Sequence, residues 1–131
     1  IVASGANATI LHYTTNKDLL KEGDIVLVDS GAELEYYTAD VTRVYPVSKK
    51  FTPPQKEIYN LVLESQIRAI ENTTVGNKFL DIHKETVRFL SQGLKDLGLF
   101  SESLDEILEK ELFKKFYMHR TGHWLGMDVH D

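Results

Sequence analysis

The stretch Asp24-Ile-Val-Leu-Val-Asp-Ser-Gly-Ala-Glu-Leu-Glu-Tyr-Tyr-Thr-Ala-Asp-Val-Thr-Arg-Val-Tyr45 decides how this chain is read. Between Asp24 and Asp29 every side chain is aliphatic, which is the pattern of a strand covered on both faces. Tyr36 to Tyr45 is rich in Tyr, Thr and Val, residues that fit a pleated surface. No Asn-Gly or Asp-Gly pair marks the turn between the two runs. A hairpin turning near Leu34-Glu35 would pair residues whose numbers sum to 69, and so set Asp29 beside Asp40. Their Cβ atoms would then be roughly 5 Å apart. Adjacent buried carboxylates repel, and each is costly to desolvate. A shared proton, the nearby Arg43 or a metal ion would relieve them. A plainer alternative puts one aspartate in an exposed turn and pairs the other with Arg43.

Outward from this pair, residues 1–51 read as strands, with a short apolar run at Ile10-Leu-His-Tyr13 and a polar connection from Asn16 to Glu22. Pro46 and Ser48-Lys49-Lys50 close the region. The period then becomes helical. Thr52-Pro-Pro-Gln55 has the form of a capping box with proline in the first turn. Ile58, Leu61, Val62, Ser65 and Ala69 follow it at helical spacing, which predicts a helix over 54–72. A second helix is expected over 77–97, with Phe79, Ile82, Thr86, Leu90 and Leu97 on one side and Gly98 as its stop. A third begins near Ser103, with Glu106 three residues on. Strands first and helices after predict an α+β layout.

The 131 residues suffice for one core, and 42% hydrophobic with 27% charged is ordinary for a globular domain. A net charge of −5 argues against a nucleic-acid or anionic-membrane partner. No apolar run approaches a membrane span. The absence of cysteine excludes disulfides and thiolate metal sites. Sequons stand at Asn7 and Asn72, a triplet common by chance. The chain starts Ile1-Val2-Ala3 and stops one residue after a histidine, so it is expected to be a piece of a larger polypeptide.

Three of the five histidines fall in His119-Arg-Thr-Gly-His-Trp-Leu-Gly-Met-Asp-Val-His-Asp131. His119 and His123 have the spacing of a helical zinc motif, but Arg120 stands where its glutamate belongs, and Gly122 and Gly126 weaken a helix. An extended segment or a turn is expected instead. Imidazole with carboxylate suits divalent ions such as Mn²⁺, Co²⁺ or Zn²⁺. His83, among charged neighbours on the second helix, reads as structural.

These residues together resemble the catalytic domain of Xaa-Pro aminopeptidases (aminopeptidase P) and Xaa-Pro dipeptidases, the pita-bread metallopeptidases. The resemblance spans the chain. It rests on Ser4-Gly-Ala-Asn7, Ile10-Leu-His-Tyr13, Val28-Asp-Ser-Gly31 and Tyr37-Thr-Ala-Asp-Val-Thr-Arg43. Phe51-Thr52 with Gln55 and Tyr59, and the histidine-rich end, complete it. It implies a curved, mostly antiparallel sheet flanked by helices, of which residues 1–131 would be a partial catalytic domain. An N-terminal domain and the second half of the sheet would lie outside them.

The resemblance further implies two divalent metals, manganese foremost and cobalt or zinc as alternatives. Asp29 would chelate one, Asp40 bridge both, and His123 bind the other, with two glutamates absent from this chain completing the set. The implied reaction removes an N-terminal residue preceding proline, using water acidified between the ions. His12, His119 and His130 would line the substrate site. His119 would stabilise the tetrahedral intermediate, His130 would act near the scissile bond, and His12 would flank the proline pocket. Tyr37, Arg43 and Trp124 would be supports, Arg43 as partner of an aspartate.

The chain departs from the family in Ser48-Lys49-Lys50, which replaces an Asn-Gly turn, and in Arg120, where a small residue is usual. A cytoplasmic location, a peptide with penultimate proline as partner and a homo-oligomeric parent complete the expectation. The competing reading is a non-catalytic, peptidase-like binding module, whose members typically lose the metal ligands. Alone, the 131 residues are expected to bind metal weakly and to cleave nothing.

Overall fold

Aliphatic and β-branched side chains between Asp24 and Asp29 build the middle of a sheet. The computed structural model describes residues 1–131. Strands β1 (Val2–Ser4), β2 (Ile25–Ser30) and β5 (Val41–Pro46) form an antiparallel sheet in the order β1-β2-β5. Strands β3 (Glu33–Leu34) and β4 (Tyr37–Thr38) form a separate two-stranded hairpin. The helices are α1 (Pro53–Glu71), α2 (Phe79–Asp96) and α3 (Leu104–Glu109). The chain divides into two compact units, residues 1–54 with 123–131, and residues 55–122.

In the first unit the register differs from the sequence expectation. Asp29 faces Thr42 and Glu33 faces Thr38, so paired numbers sum to 71. The turn lies at Glu35-Tyr36, both with positive φ (50° and 69°). That is the left-handed geometry a two-residue hairpin requires, adopted here without glycine. Asp40 therefore falls diagonal to Asp29 rather than opposite it, in the break between β4 and β5. Gly31 permits the crossing there, because a Cβ would lie 1.6 Å from the Ala39 carbonyl oxygen. Two further expectations change. The Ile10–Tyr13 run is a turn after a 3-10 segment (Gly5–Thr9), with Ile10 and Leu11 exposed and only Tyr13 buried. Residues 25–29 of β2 are half-buried rather than covered on both faces.

The second unit is helical close to the expected boundaries. Helix α2 buries Thr86, Val87, Leu90, Ser91 and Leu94, a stripe that shares Thr86 and Leu90 with the expected one, while Phe79 and Leu97 at its ends stay exposed. Ile107 of α3 is fully buried. Gly98 (φ 78°) ends α2: its N–H donates to Lys95 and the Leu99 N–H to Leu94, the paired bonds of a left-handed helix stop. Ser103 caps α3 by accepting from the Glu106 N–H. Along α1 only Ser65 is buried, and Ile58 and Val62 remain exposed. No helix is long and apolar enough to cross a membrane.

Candidate metal centre

Residues 119–131 contain no helix or strand, as Gly122 and Gly126 led one to expect. The hairpin holds their final part instead. The Thr38 N–H and hydroxyl both donate to the Gly126 carbonyl, at 3.0 and 3.1 Å. The Tyr37 hydroxyl donates to the Leu125 carbonyl at 2.9 Å. These bonds come from the residues flanking Asp40 on its N-terminal side, so one clamp positions the carboxylate and the histidines together.

The product is a three-residue cluster. Ligand atoms of Asp40, His123 and His130 all lie within 4.8 Å of one another. Nε2 of His123 is 3.0 Å from Oδ2 of Asp40, with both side chains partly exposed. Nδ1 of His123 lies 2.9 Å from the Trp124 carbonyl. Donation there fixes the tautomer and turns Nε2 toward the carboxylate, the orientation a ligating imidazole needs. The hydrogen bond to the Trp124 carbonyl is the largest influence and raises the His123 pKa; desolvation opposes it, and the Asp40 carboxylate adds to the rise. The His130 ring stands 4.2 Å from that of His123 and 6.3 Å from that of His12. Two imidazoles and a carboxylate within one ion's reach are a donor set that fits a borderline divalent metal. A bound ion would take the Nε2 lone pair of His123, so metal would compete with protons for that nitrogen.

The structure thus brings together Asp40, His123, His130 and, nearby, His12. His130, expected at the substrate, stands among the donors. Asp29 is half-buried on β2, and its carboxylate is not among the clustered atoms. Arg43 partners neither aspartate. It donates to the Thr42 carbonyl and pairs with Val28, so alternation turns it to the opposite face from Thr42 and Asp29. His119 belongs to the helical unit, its ring edge-on to Tyr117 at 5.0 Å.

One group escaped the sequence reading. His83 Nδ1 is 2.9 Å from the Thr121 hydroxyl and receives the Thr121 N–H at 3.3 Å, while the Tyr117 hydroxyl donates to that same threonine at 2.9 Å. Tyr117 and Thr121 are four apart, but outside a helix that spacing carries no signal.

Comparison with known proteins places this arrangement in a class. The model of metallopeptidase family M24 matches residues 1–131. The chain is 50% identical over its whole length to a Haemophilus influenzae Xaa-Pro aminopeptidase. A structure of Pseudomonas aeruginosa aminopeptidase PepP matches with a TM-score of 0.96 at 48% identity. So does zinc-substituted Escherichia coli aminopeptidase P in complex with product, at 0.96 and 44%. In all three the whole of this chain is covered but only 30% of the relative. The chain belongs to metallopeptidase family M24, and its α+β architecture is a portion of the pita-bread fold.

Proposed function

We propose that the protein containing these residues is a metal-dependent aminopeptidase that removes the N-terminal residue from peptides with proline in second position. The observation that carries this reading is the Asp40–His123–His130 cluster, in a chain belonging to a metallopeptidase family. Asp40 and His123 would hold metal, with Asp29 contributing from the adjacent strand. His130 serves either as a further donor or as a substrate contact beside them. Two divalent ions, manganese foremost and cobalt or zinc as alternatives, would be completed by two glutamates outside residues 1–131. When bound, they supply an acidified water and a polarised carbonyl.

The chain's own residues then have separable tasks. Trp124, through its carbonyl, keeps the Nε2 lone pair of His123 on the metal side. Tyr37 and Thr38 hold the loop that delivers both histidines. His12 stands beside His130, with 6.3 Å between the rings, and would flank the proline ring of the substrate. His119 would hold the substrate and stabilise the tetrahedral intermediate. A cytoplasmic location belongs to the same reading, as does inactivity of residues 1–131 when isolated.

The test is manganese-dependent release of the N-terminal residue from an Xaa-Pro-Yaa tripeptide and an Xaa-Pro dipeptide by the full-length protein, with Asp40→Ala beside it. Activity in the wild type, and a loss of more than about a hundredfold in the variant, is the expected result. A wild type that binds no metal and cleaves neither peptide would support the binding-module reading instead.

A further inference from the structure

The network under His119 is the feature that the metal cluster does not use. His83 lies on α2 and is half-buried. Its Nδ1 faces two donors of one residue, the Thr121 N–H and hydroxyl. Because the Thr121 N–H points at Nδ1, that nitrogen is an acceptor, so the Thr121 hydroxyl donates to it while accepting the Tyr117 O–H. The order Tyr117 O–H to Thr121 O–H to His83 Nδ1 is therefore directional, and it requires a neutral imidazole protonated on Nε2. Burial first, then the positive charges of Arg120 and His119, lower the His83 pKa and favour that form. At the other end, Tyr117 is half-buried and presents its ring to His119 at 5.0 Å, inclined 67°. This is the edge-to-face arrangement in which the orientation of one aromatic ring sets the other. The Nδ1 of His119 is taken up by the Arg120 carbonyl at 2.8 Å, which leaves Nε2 as the working nitrogen.

We propose that His83 is a positioning residue for His119: it fixes Thr121, Thr121 fixes the Tyr117 hydroxyl, and the Tyr117 ring seats the His119 imidazole. The inference rests on the reading of His119 as a substrate-contacting group. His83 itself touches no substrate. Its effect is on the orientation of His119, so it belongs to the turnover step more than to the affinity for peptide.

The experiment compares His83→Leu, which removes the acceptor, with His83→Asn, whose Oδ1 takes the place of Nδ1. Both are made in the full-length protein with manganese. His83→Leu is expected to lower kcat by roughly tenfold or more, the scale of a sub-ångström misplacement, with KM changed less. His83→Asn is expected to recover most of that loss. A purely structural role would lower thermal stability without this split and without rescue. A leucine variant with wild-type kcat, or an asparagine variant as impaired as the leucine one, overturns the proposal. If His83→Leu does not fold, Tyr117→Phe keeps the ring and removes the hydroxyl, and must show the same fall in kcat. The second readout does not depend on activity: the ¹³Cε1 resonance of His119 in histidine-labelled protein. It should shift in His83→Leu and return in His83→Asn, and an unmoved resonance refutes the coupling. A wild type without peptidase activity, but with that resonance pattern, would disprove the aminopeptidase reading and leave the coupling standing.

Discussion

The helical unit and the sheet unit solve burial differently. Residues 55–122 close a core of their own around Val87, Leu90, Ser91, Leu94 and Ile107, the last two helices supplying nearly all of it. Residues 1–54 with 123–131 have only Ala3 and Tyr13 as buried apolar residues, and the aliphatic strand β2 is nowhere better than half-buried. Yet the candidate metal cluster of Asp40, His123 and His130 stands in the second of these. The unit with the weaker core is held instead by close backbone approach and by hydrogen bonds to main-chain carbonyls. Its geometry is consequently expected to be sensitive to a single methyl group added at Gly31.

Three substitutions or conditions put pressure on that contrast. Gly31→Ala has the largest expected effect. Its Cβ would meet backbone rather than a movable side chain, at 1.6 Å. A cost of at least about 3 kcal/mol, the upper range of overpacking, is expected, together with lost metal binding. Urea unfolding and isothermal titration with Mn²⁺ would measure both. A stable variant that still binds metal would break the comparison.

Next come paired core truncations. Ile107→Ala empties a fully buried site and should cost about 2–5 kcal/mol. Leu27→Ala, on the half-buried strand, should cost distinctly less. Equal losses in chemical denaturation would mean that β2 is covered in the full-length protein.

The smallest effect is a pH dependence. His83 has its folded-state pKa lowered below the ordinary 6.5, chiefly by burial. The unfolded chain therefore binds the proton more readily. The stability from keeping His83 neutral is complete above pH 6.5 and is lost as pH falls toward the folded-state value. The urea midpoint of the wild type should drop from pH 7.5 to pH 5 more steeply than that of His83→Asn. Parallel curves would remove His83 from the account.

Helices were legible in the sequence because their start and stop signals are local. Ser103 with Glu106, and Gly98, mark the boundaries that the structure has. The hairpin register was not legible. Glu35 and Tyr36 turn in the left-handed region, and no residue there carries the glycine or asparagine that would announce it. Lys49, with φ 66°, does the same. Ile10–Tyr13 misled because a short apolar run has no period of its own. Asp40 and His123, which the resemblance implies as ligands, stand side by side. That His130 would join them depended on a clamp between residues nearly ninety positions apart, which spacing does not encode. The partner of Arg43 failed to appear for a simple reason: strand alternation, once the true register is known, points it away.

That clamp also orders events in time. Tyr37 and Leu125 are 88 positions apart, and the entire helical unit lies in the interval. Closing a flexible loop of that length costs about 4 kcal/mol of chain entropy beyond any constant contribution. Local helix contacts form long before such distant ones. The donor cluster is accordingly expected to assemble after the local helices. On that expectation, metal uptake during refolding of the full-length protein would trail the formation of helix.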